Sequence, residues 1–243
     1  MALYMIGIGL NDENDISVKG LEIARKCDAV YLENYTSILQ CPKEKLENLY
    51  KKTIILANRE IVEKKAEQTI LRDAKSKETA FLVIGDPLCA TTHVDLMLRA
   101  KKLGIKVEVV HNASVVSAVG ITGLEVYKFG KITSIPFNNK DVKAPADVYK
   151  MNKKNGLHTL FLLDLDPENN KFLTIKEAVE YLVKNGVSED ELFVGCARIG
   201  SDNPAMFAGK AKEIAKKDFG KPPYCLIIPA KLHFIEEEAL SLL

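Results

Sequence analysis

The chain of 243 residues is 47% hydrophobic and 28% charged, and its formal net charge is +1. This composition is ordinary for a globular protein of one large or two modest domains, and it excludes long disordered regions. The near-neutral charge excludes the basic stripe or polybasic segment that nucleic acids and membrane surfaces attract, so neither is expected as a partner.

Cysteine usage and the apolar runs give a second set of exclusions. The five cysteines, at positions 27, 41, 89, 196 and 225, are odd in number and include no C-x-x-C pair. Free thiols in a reducing compartment are therefore predicted, without a disulfide framework or a metal site. No basic segment followed by a long apolar run occurs at the N-terminus, so no signal peptide is expected, and no apolar stretch approaches the roughly 18 residues of a membrane span. A cytoplasmic location is expected.

The first half of the chain alternates apolar runs with helical patterns. Strands are predicted at 3–9, 28–33, 53–57, 79–84 and 106–110, and helices at 15–26, 58–75 and 92–103. Ser17 is placed to cap the first helix, and Thr92 with Asp95 forms a capping-box pattern at the third. Strands that alternate with helices predict a mostly parallel sheet covered on both faces.

The second half is less regular. A helix is predicted at 114–126, strands at 132–137, 159–165, 192–198 and 224–229, and capping-box patterns occur at 174–177 and 188–191. Because fewer helices separate these strands, antiparallel pairing is expected. The predicted fold class is α/β, with a mostly parallel N-terminal sheet and a mixed C-terminal sheet. The predicted domains are 1–112 and 113–243.

Two glycines follow the first predicted strand, where a backbone can approach a ligand closely. Gly7-x-Gly9 lacks the third glycine of a dinucleotide-binding fingerprint, because that position is Asp12. The alternative interpretation is a tight strand-to-helix turn that binds nothing.

Gly85-Asp86-Pro87 follows a buried strand, at the edge where open α/β sheets bind ligands. The Asp86 carboxylate can accept hydrogen bonds from the hydroxyl or ammonium groups of a ligand. It can equally stabilise its own turn, and the sequence leaves both possibilities open.

Ser114 and His93 each lie near the start of a predicted helix. Ser114 either contacts a ligand or caps its helix, and His93 is interpreted as a structural histidine. The run of three glutamates at 236–238 is interpreted as a solvated helix face.

The order of these motifs resembles the diphthine synthase family of the tetrapyrrole-methylase-like methyltransferases. The motifs that carry the resemblance lie at 4–10, 15–21, 35–37, 85–93, 111–114, 118–124, 127–130, 156–159, 197–198 and 231–233. They span nearly the whole chain. The resemblance implies a two-lobed fold with S-adenosylmethionine in the cleft between the lobes.

The resemblance also implies which residues line the cofactor pocket. Carried over by motif, these are Leu10, Asp86, Cys89, Ser114, Val115, Leu163 and Cys225. Most would act through backbone groups or apolar contact, so the two cysteines would be wall residues and not nucleophiles. S-adenosylhomocysteine would be the product, no metal would be needed, and the protein would be a homodimer.

The implied reaction is methylation of the amino group of the 3-amino-3-carboxypropyl-histidine of translation elongation factor 2. It would form diphthine in diphthamide biosynthesis. No base for deprotonating the amine is evident in the sequence, so no catalytic residue is assigned. The alternatives are a related methyltransferase acting on a small tetrapyrrole precursor and a non-enzymatic nucleoside-binding module. A pocket for a polyanionic macrocycle would favour clustered arginines, but the five arginines do not cluster in the sequence.

Overall fold

The computed structural model describes all 243 residues, which form two compact units, Met1–Val116 and Ser117–Leu243. This division falls after residue 116, whereas the sequence places the boundary after residue 112. None of the helices is both long and apolar enough to cross a bilayer.

The N-terminal unit alternates strands and helices. Its strands are β1 Ala2–Gly7, β2 Ala29–Glu33, β3 Ile55–Ala57, β4 Glu78–Val83 and β5 Lys106–Val110. Its helices are α1 Val18–Lys26, α2 Lys43–Tyr50, α3 Arg59–Glu63, α4 Ile70–Ser76 and α5 Val94–Lys102, with a 3-10 turn at Ala66–Gln68. A further short helix, α6 Val115–Ala118, spans the division between the units.

The five strands of this unit form one parallel sheet in the order β3-β2-β4-β1-β5. Strands β2 and β4 read as almost continuous apolar runs because helices cover the sheet on both sides. One layer of the core includes Leu3, Met5 and Phe81, and the other includes Ile6, Leu32 and Leu82. All carboxyl ends of a parallel sheet lie at the same edge, so the loops that follow β1, β2, β3, β4 and β5 are neighbours.

The C-terminal unit holds the remaining elements. Its strands are β6 Thr133–Ile135, β7 Thr159–Leu163, β8 Leu165–Asp166, β9 Lys171–Phe172, β10 Leu192–Ala197, β11 Ala205–Lys210 and β12 Tyr224–Ile228. Its helices are α7 Ala144–Lys154, α8 Ile175–Lys184, α9 Ala211–Ile214 and α10 Phe234–Ser241, with 3-10 turns at Val119–Thr122, Val126–Lys128 and Pro167–Asn169.

The main sheet of this unit is mixed, as predicted. Its order is β11-β10-β12-β7-β6, with antiparallel pairing except between β6 and β7. Strands β8 and β9 form a separate hairpin. The α/β class and the character of both sheets are therefore confirmed.

Two predicted helices are interrupted. The pattern over 58–75 gives α3, a 3-10 turn and α4, because Thr69 leaves the helical region with φ −127° and ψ −98°. The pattern over 114–126 ends as a helix after Ala118. Gly123 then adopts φ +82°, and a Cβ on it would lie 2.2 Å from the Cβ of Ala239. Close packing against Ala239 and a left-handed backbone both require glycine here.

Some of the predicted helix caps are present in the structure and others are not. Ser17 accepts from Gly20 N–H, and Thr174 forms the full capping box with Glu177. The box predicted from Thr92 is wrong, because the helix begins at Val94 and the Thr92 side chain does not cap it. The box predicted at 188–191 is also wrong, since that segment is a turn leading directly into β10. Local side-chain bonds of this kind stabilise turns as readily as helices.

Candidate functional site

The loops that follow β1 and β4 are joined beyond the ends of these two neighbouring strands. The Ile8 N–H donates to the Val83 carbonyl at 2.9 Å, and the Gly85 N–H donates to the Gly9 carbonyl at 2.7 Å. Both glycines have left-handed φ angles, +80° at Gly9 and +81° at Gly85. The two glycine motifs thus form a single turn structure at the carboxyl edge of the N-terminal sheet.

Close packing within the protein explains the glycines of the first motif. A Cβ on Gly7 would lie 2.6 Å from the Gly85 carbonyl oxygen, and a Cβ on Gly9 would lie 2.3 Å from the Cβ of Asp15. These positions are filled by protein atoms, so the tight-turn interpretation accounts for both residues without a ligand.

Gly85 differs from these two glycines. A Cβ on it would meet nothing closer than the Leu10 Cδ2 at 3.6 Å and the Ala113 carbonyl oxygen at 3.7 Å. The space beside its Cα can therefore accept a Cβ at ordinary van der Waals distances, with an apolar side chain and a backbone acceptor at its border. We call this space the Gly85 cradle.

Asp86 is only 5% exposed, and both of its carboxylate oxygens accept hydrogen bonds. One oxygen accepts from the Leu88 N–H at 2.9 Å. The other accepts from the Asn112 N–H at 3.2 Å and lies 2.8 Å from the His111 Nδ1. Burial alone would raise the pKa of Asp86, but these hydrogen bonds outweigh it and hold the pKa below its ordinary value. The carboxylate ties its own turn to the loop after β5.

Cys89 and Ser114 lie beside Asp86. The Cys89 thiol interacts with both the Asp86 carboxylate and the Ser114 side chain, and burial together with the Asp86 charge raises its pKa. A thiol of raised pKa is a poor nucleophile, and the place of Cys89 in a pocket wall stays a prediction. The structure therefore brings Asp86, Cys89 and Ser114 together and packs Leu10 against Gly85, and Val115 directly follows Ser114.

Sequence reasoning missed two residues that shape this edge. Asn112 donates from Nδ2 to the carbonyls of Gly7 and Asp15, each at 3.0 Å. Glu33 is fully buried at the end of β2, and its oxygens accept from the N–H groups of Tyr35 and Thr36. A charged residue closing an otherwise apolar strand was the available signal for Glu33.

Leu163 and Cys225 lie in the C-terminal unit, on the paired strands β7 and β12. Cys225 is the register partner of Leu162, so these two side chains share a face and Leu163 points to the opposite one. The Leu163 side chain belongs to the core cluster that contains Phe161 and Leu226. Any ligand contact of Leu163 would therefore come from its backbone.

Arg198, in the segment after β10, is engaged within the protein. Its guanidinium group donates to the carbonyls of Asn203, Phe219 and Lys221. This residue stabilises the neighbouring loops of the C-terminal unit.

The glutamate run at 236–238 is not simply a solvated face. Glu236 is fully buried, and its carboxylate bonds the Lys128 ammonium, the His158 ring and the N–H groups of Glu125 and His233. Burial alone would raise the pKa of Glu236, but these partners hold it at about 2. The prediction fails at this residue because Glu236 closes the capping box of α10. No group of three or more His, Cys, Asp or Glu side chains is placed to hold a metal ion.

The family model for tetrapyrrole (corrin/porphyrin) methylases matches residues 2–215. The chain is 47% identical to the diphthine synthase of Methanocella arvoryzae, over 98% of this chain and 96% of that protein. It is 44% identical to the diphthine methyl ester synthase of Bos taurus, over 99% of this chain and 94% of that protein. A crystal structure of diphthine synthase superposes with a TM-score of 0.93 at 39% identity, covering 100% of this chain and 95% of that one.

The two-sheet α/β fold and the family match define the class: the chain is a methyltransferase of the tetrapyrrole methylase family. Within that class, the near-full-length relatives place it in the diphthine synthase family.

Proposed function

We propose that the protein transfers methyl groups from S-adenosylmethionine to the amino group of the 3-amino-3-carboxypropyl-histidine of elongation factor 2. The observation that carries the proposal is the clustering of the motif residues Asp86, Cys89 and Ser114 beside Gly85, against which Leu10 packs. The acceptor follows from membership of the diphthine synthase family, whose relatives match over nearly their whole length.

The Gly85 cradle would contact part of a nucleoside sulfonium. Its border offers the Leu10 methyl groups for apolar contact and the Ala113 carbonyl as an acceptor. When bound, the cofactor supplies an electrophilic methyl group. Leu10, Cys89, Ser114 and Val115 would hold it, and Asp86 would fix the turn that shapes the cradle. Contacts of Leu163 and Cys225 with the cofactor stay predictions.

The chemistry asks the protein for position more than for a reactive group. An attacking amine must be neutral, because an ammonium has no lone pair, and it must be held in line with the methyl group. Neither buried candidate near the cradle is a suitable base. The Asp86 carboxylate holds three donors and has a lowered pKa, and burial lowers the pKa of His93 to about 4. We therefore infer that water or a group of the acceptor itself takes the proton.

The test is methyl transfer to elongation factor 2 that carries the unmethylated precursor, read by mass spectrometry. Successive whole-methyl increments are expected on the peptide that contains the modified histidine. A factor with unmodified histidine should stay unchanged. Methylation of both factors, or of neither while S-adenosylmethionine binds, would contradict the acceptor and favour a small-molecule methyltransferase. Binding without turnover on any acceptor would favour a nucleoside-binding module.

We also propose that the protein is a cytoplasmic homodimer, as its family membership suggests. The segment 114–124 contributes partly to the core, because Val119 and Leu124 are buried, while Ile121 is 55% exposed. Light scattering at micromolar concentration should give twice the mass of the 27.0 kDa chain. A monomer mass would contradict this proposal.

A further inference from the structure

Arg59 is the first residue of α3, directly beyond the carboxyl end of β3. Its guanidinium carbon lies 5.3 Å from the centroid of the Tyr35 ring, and the residue is exposed. The other four arginines all use their guanidinium groups within the protein. Arg25 donates to a carbonyl, Arg72 and Arg99 bond carboxylates, and Arg198 donates to three carbonyls. Arg59 has the ring contact alone.

The Tyr35 ring beneath Arg59 is held firmly. Tyr35 is 6% exposed, and its hydroxyl lies 3.2 Å from Nε2 of His93, which is 1% exposed. The Tyr35 N–H donates to the buried Glu33 carboxylate at 3.2 Å. The His93 ring packs edge-on against Tyr35 and Phe81, with centroid distances of 6.0 and 5.2 Å. The aromatic platform is thus fixed from the loop after β2 and from the end of the Gly85 motif.

The sheet order places this platform near the Gly85 cradle. Strands β3, β2 and β4 are successive neighbours, and Arg59, Tyr35 and Gly85 each follow the carboxyl end of one of them. Neighbouring strands lie about 4.8 Å apart, so the carboxyl ends of β3 and β4, which Arg59 and Gly85 follow, are separated by roughly 10 Å. All three residues belong to the N-terminal unit.

The Arg59 guanidinium lies over the Tyr35 ring within cation–π distance, and its N–H groups have no hydrogen-bond partner in the protein. Those N–H groups match the two oxygens of a carboxylate, and the ring contact limits the freedom that binding would otherwise remove. The proposed acceptor group has its carboxylate on the same carbon as the amine. Holding the carboxylate would therefore fix the position of the attacking nitrogen.

We propose that Arg59, supported by Tyr35, binds the carboxylate of the 3-amino-3-carboxypropyl group and so positions the amine for methylation. This inference rests on the proposed function and deepens it, because it assigns acceptor recognition to a residue outside the cofactor cradle. His93 and Glu33 act through Tyr35 as positioning residues.

The experiment measures methyl transfer to precursor-bearing elongation factor 2 by wild type, Arg59→Gln, Arg59→Lys and Tyr35→Leu. Arg72→Gln, a change at another exposed arginine, is the control. Losing a two-pronged bond to a charged group should raise the KM for the acceptor roughly 10- to 100-fold in Arg59→Gln. Arg59→Lys should recover part of this loss. For the two Arg59 variants, the affinity for S-adenosylmethionine by calorimetry and the melting temperature should match those of the control.

A second experiment changes the acceptor instead of the enzyme. When the carboxylate of the 3-amino-3-carboxypropyl group on the factor is converted to the amide, wild type and Arg59→Gln should have the same KM for this acceptor. Tyr35→Leu should raise the KM for the acid acceptor several-fold, and it should add little to Arg59→Gln. An Arg59→Gln KM within twofold of wild type, or an equal loss on acid and amide acceptors, would overturn the inference. Wild-type enzyme that binds cofactor but transfers no methyl would overturn the proposed function, and the inference with it.

Discussion

Replacing Asp86 with alanine would remove the acceptor of three donors at once. The Leu88 and Asn112 N–H groups and the His111 ring all bond this carboxylate. The exposed His111 ring can turn to water, so the cost comes from the two partly buried backbone groups. Each unsatisfied group costs about 1–3 kcal/mol when buried. We expect Asp86→Ala to lower the free energy of unfolding by about 2–4 kcal/mol, given the partial burial.

Asp86→Asn separates shape from charge. The amide keeps one oxygen acceptor but presents an NH₂ group where the second oxygen was, so about half the loss is expected. The lowered pKa also fixes the sign of the pH effect. Stability from the Asp86 carboxylate is fully present above its ordinary pKa of 3.8 and is lost as pH falls through the lower folded value. The asparagine variant should lack this acid-dependent component.

Urea unfolding followed by circular dichroism measures both losses, with an unchanged m-value required for the comparison. Asp141→Ala, at an exposed aspartate, is the control. An Asp86→Ala variant within about 0.5 kcal/mol of wild type would refute the claim that this carboxylate holds the turn. Calorimetry on the folded variants should give weaker S-adenosylmethionine binding. Unchanged affinity despite lost stability would mean that Asp86 serves the turn alone.

Two further predictions concern Gly85 and Glu236. Gly85→Ala and Gly104→Ala both force alanine into a left-handed backbone, with φ +81° and +72°. Each should lower the free energy of unfolding by about 1–2 kcal/mol. Only Gly85→Ala places a methyl group in the cradle, so calorimetry should find S-adenosylmethionine affinity lost there and kept in Gly104→Ala; equal affinities would mean that the cofactor lies elsewhere. Glu236, with a pKa of about 2 in place of 4.5, contributes about 3 kcal/mol that is present above pH 4.5 and lost toward pH 2. The stability gap between wild type and Glu236→Gln should close over that range in acid unfolding, and a gap independent of pH would contradict the assigned charge.

The sheets could be predicted because burial on two faces leaves a direct mark on the sequence. Strands β1, β2, β4 and β5 fall within one or two residues of the predicted runs. Helix α7 escaped prediction because it lies in a polar stretch, where only one face is buried. Strand β11 escaped because its residues are partly exposed at the sheet edge. In both elements tertiary packing supplies what the local pattern lacks.

The candidate site was predictable by position but not by role. The rule that ligands bind beyond the carboxyl ends of parallel strands located Gly85 and Asp86 correctly at that edge. It could not tell which of the motif glycines leaves room for a Cβ, because that depends on where Asp15 and Asn112 place their atoms. Likewise, the free guanidinium group of Arg59 is visible only once the partners of the other four arginines are known.

Three carboxylates at the edge of the N-terminal sheet explain this pattern. Asp15 accepts from the N–H groups of Leu10 and Asn11, Glu33 from those of Tyr35 and Thr36, and Asp86 from those of Leu88 and Asn112. Each carboxylate, an acceptor only, holds the loop beyond its own strand. In a sequence such residues look like ligand-binding acids, yet their oxygens are already occupied by the backbone. The loops are thereby ordered before anything binds, which leaves apolar side chains, backbone groups and the guanidinium of Arg59 to meet the ligands.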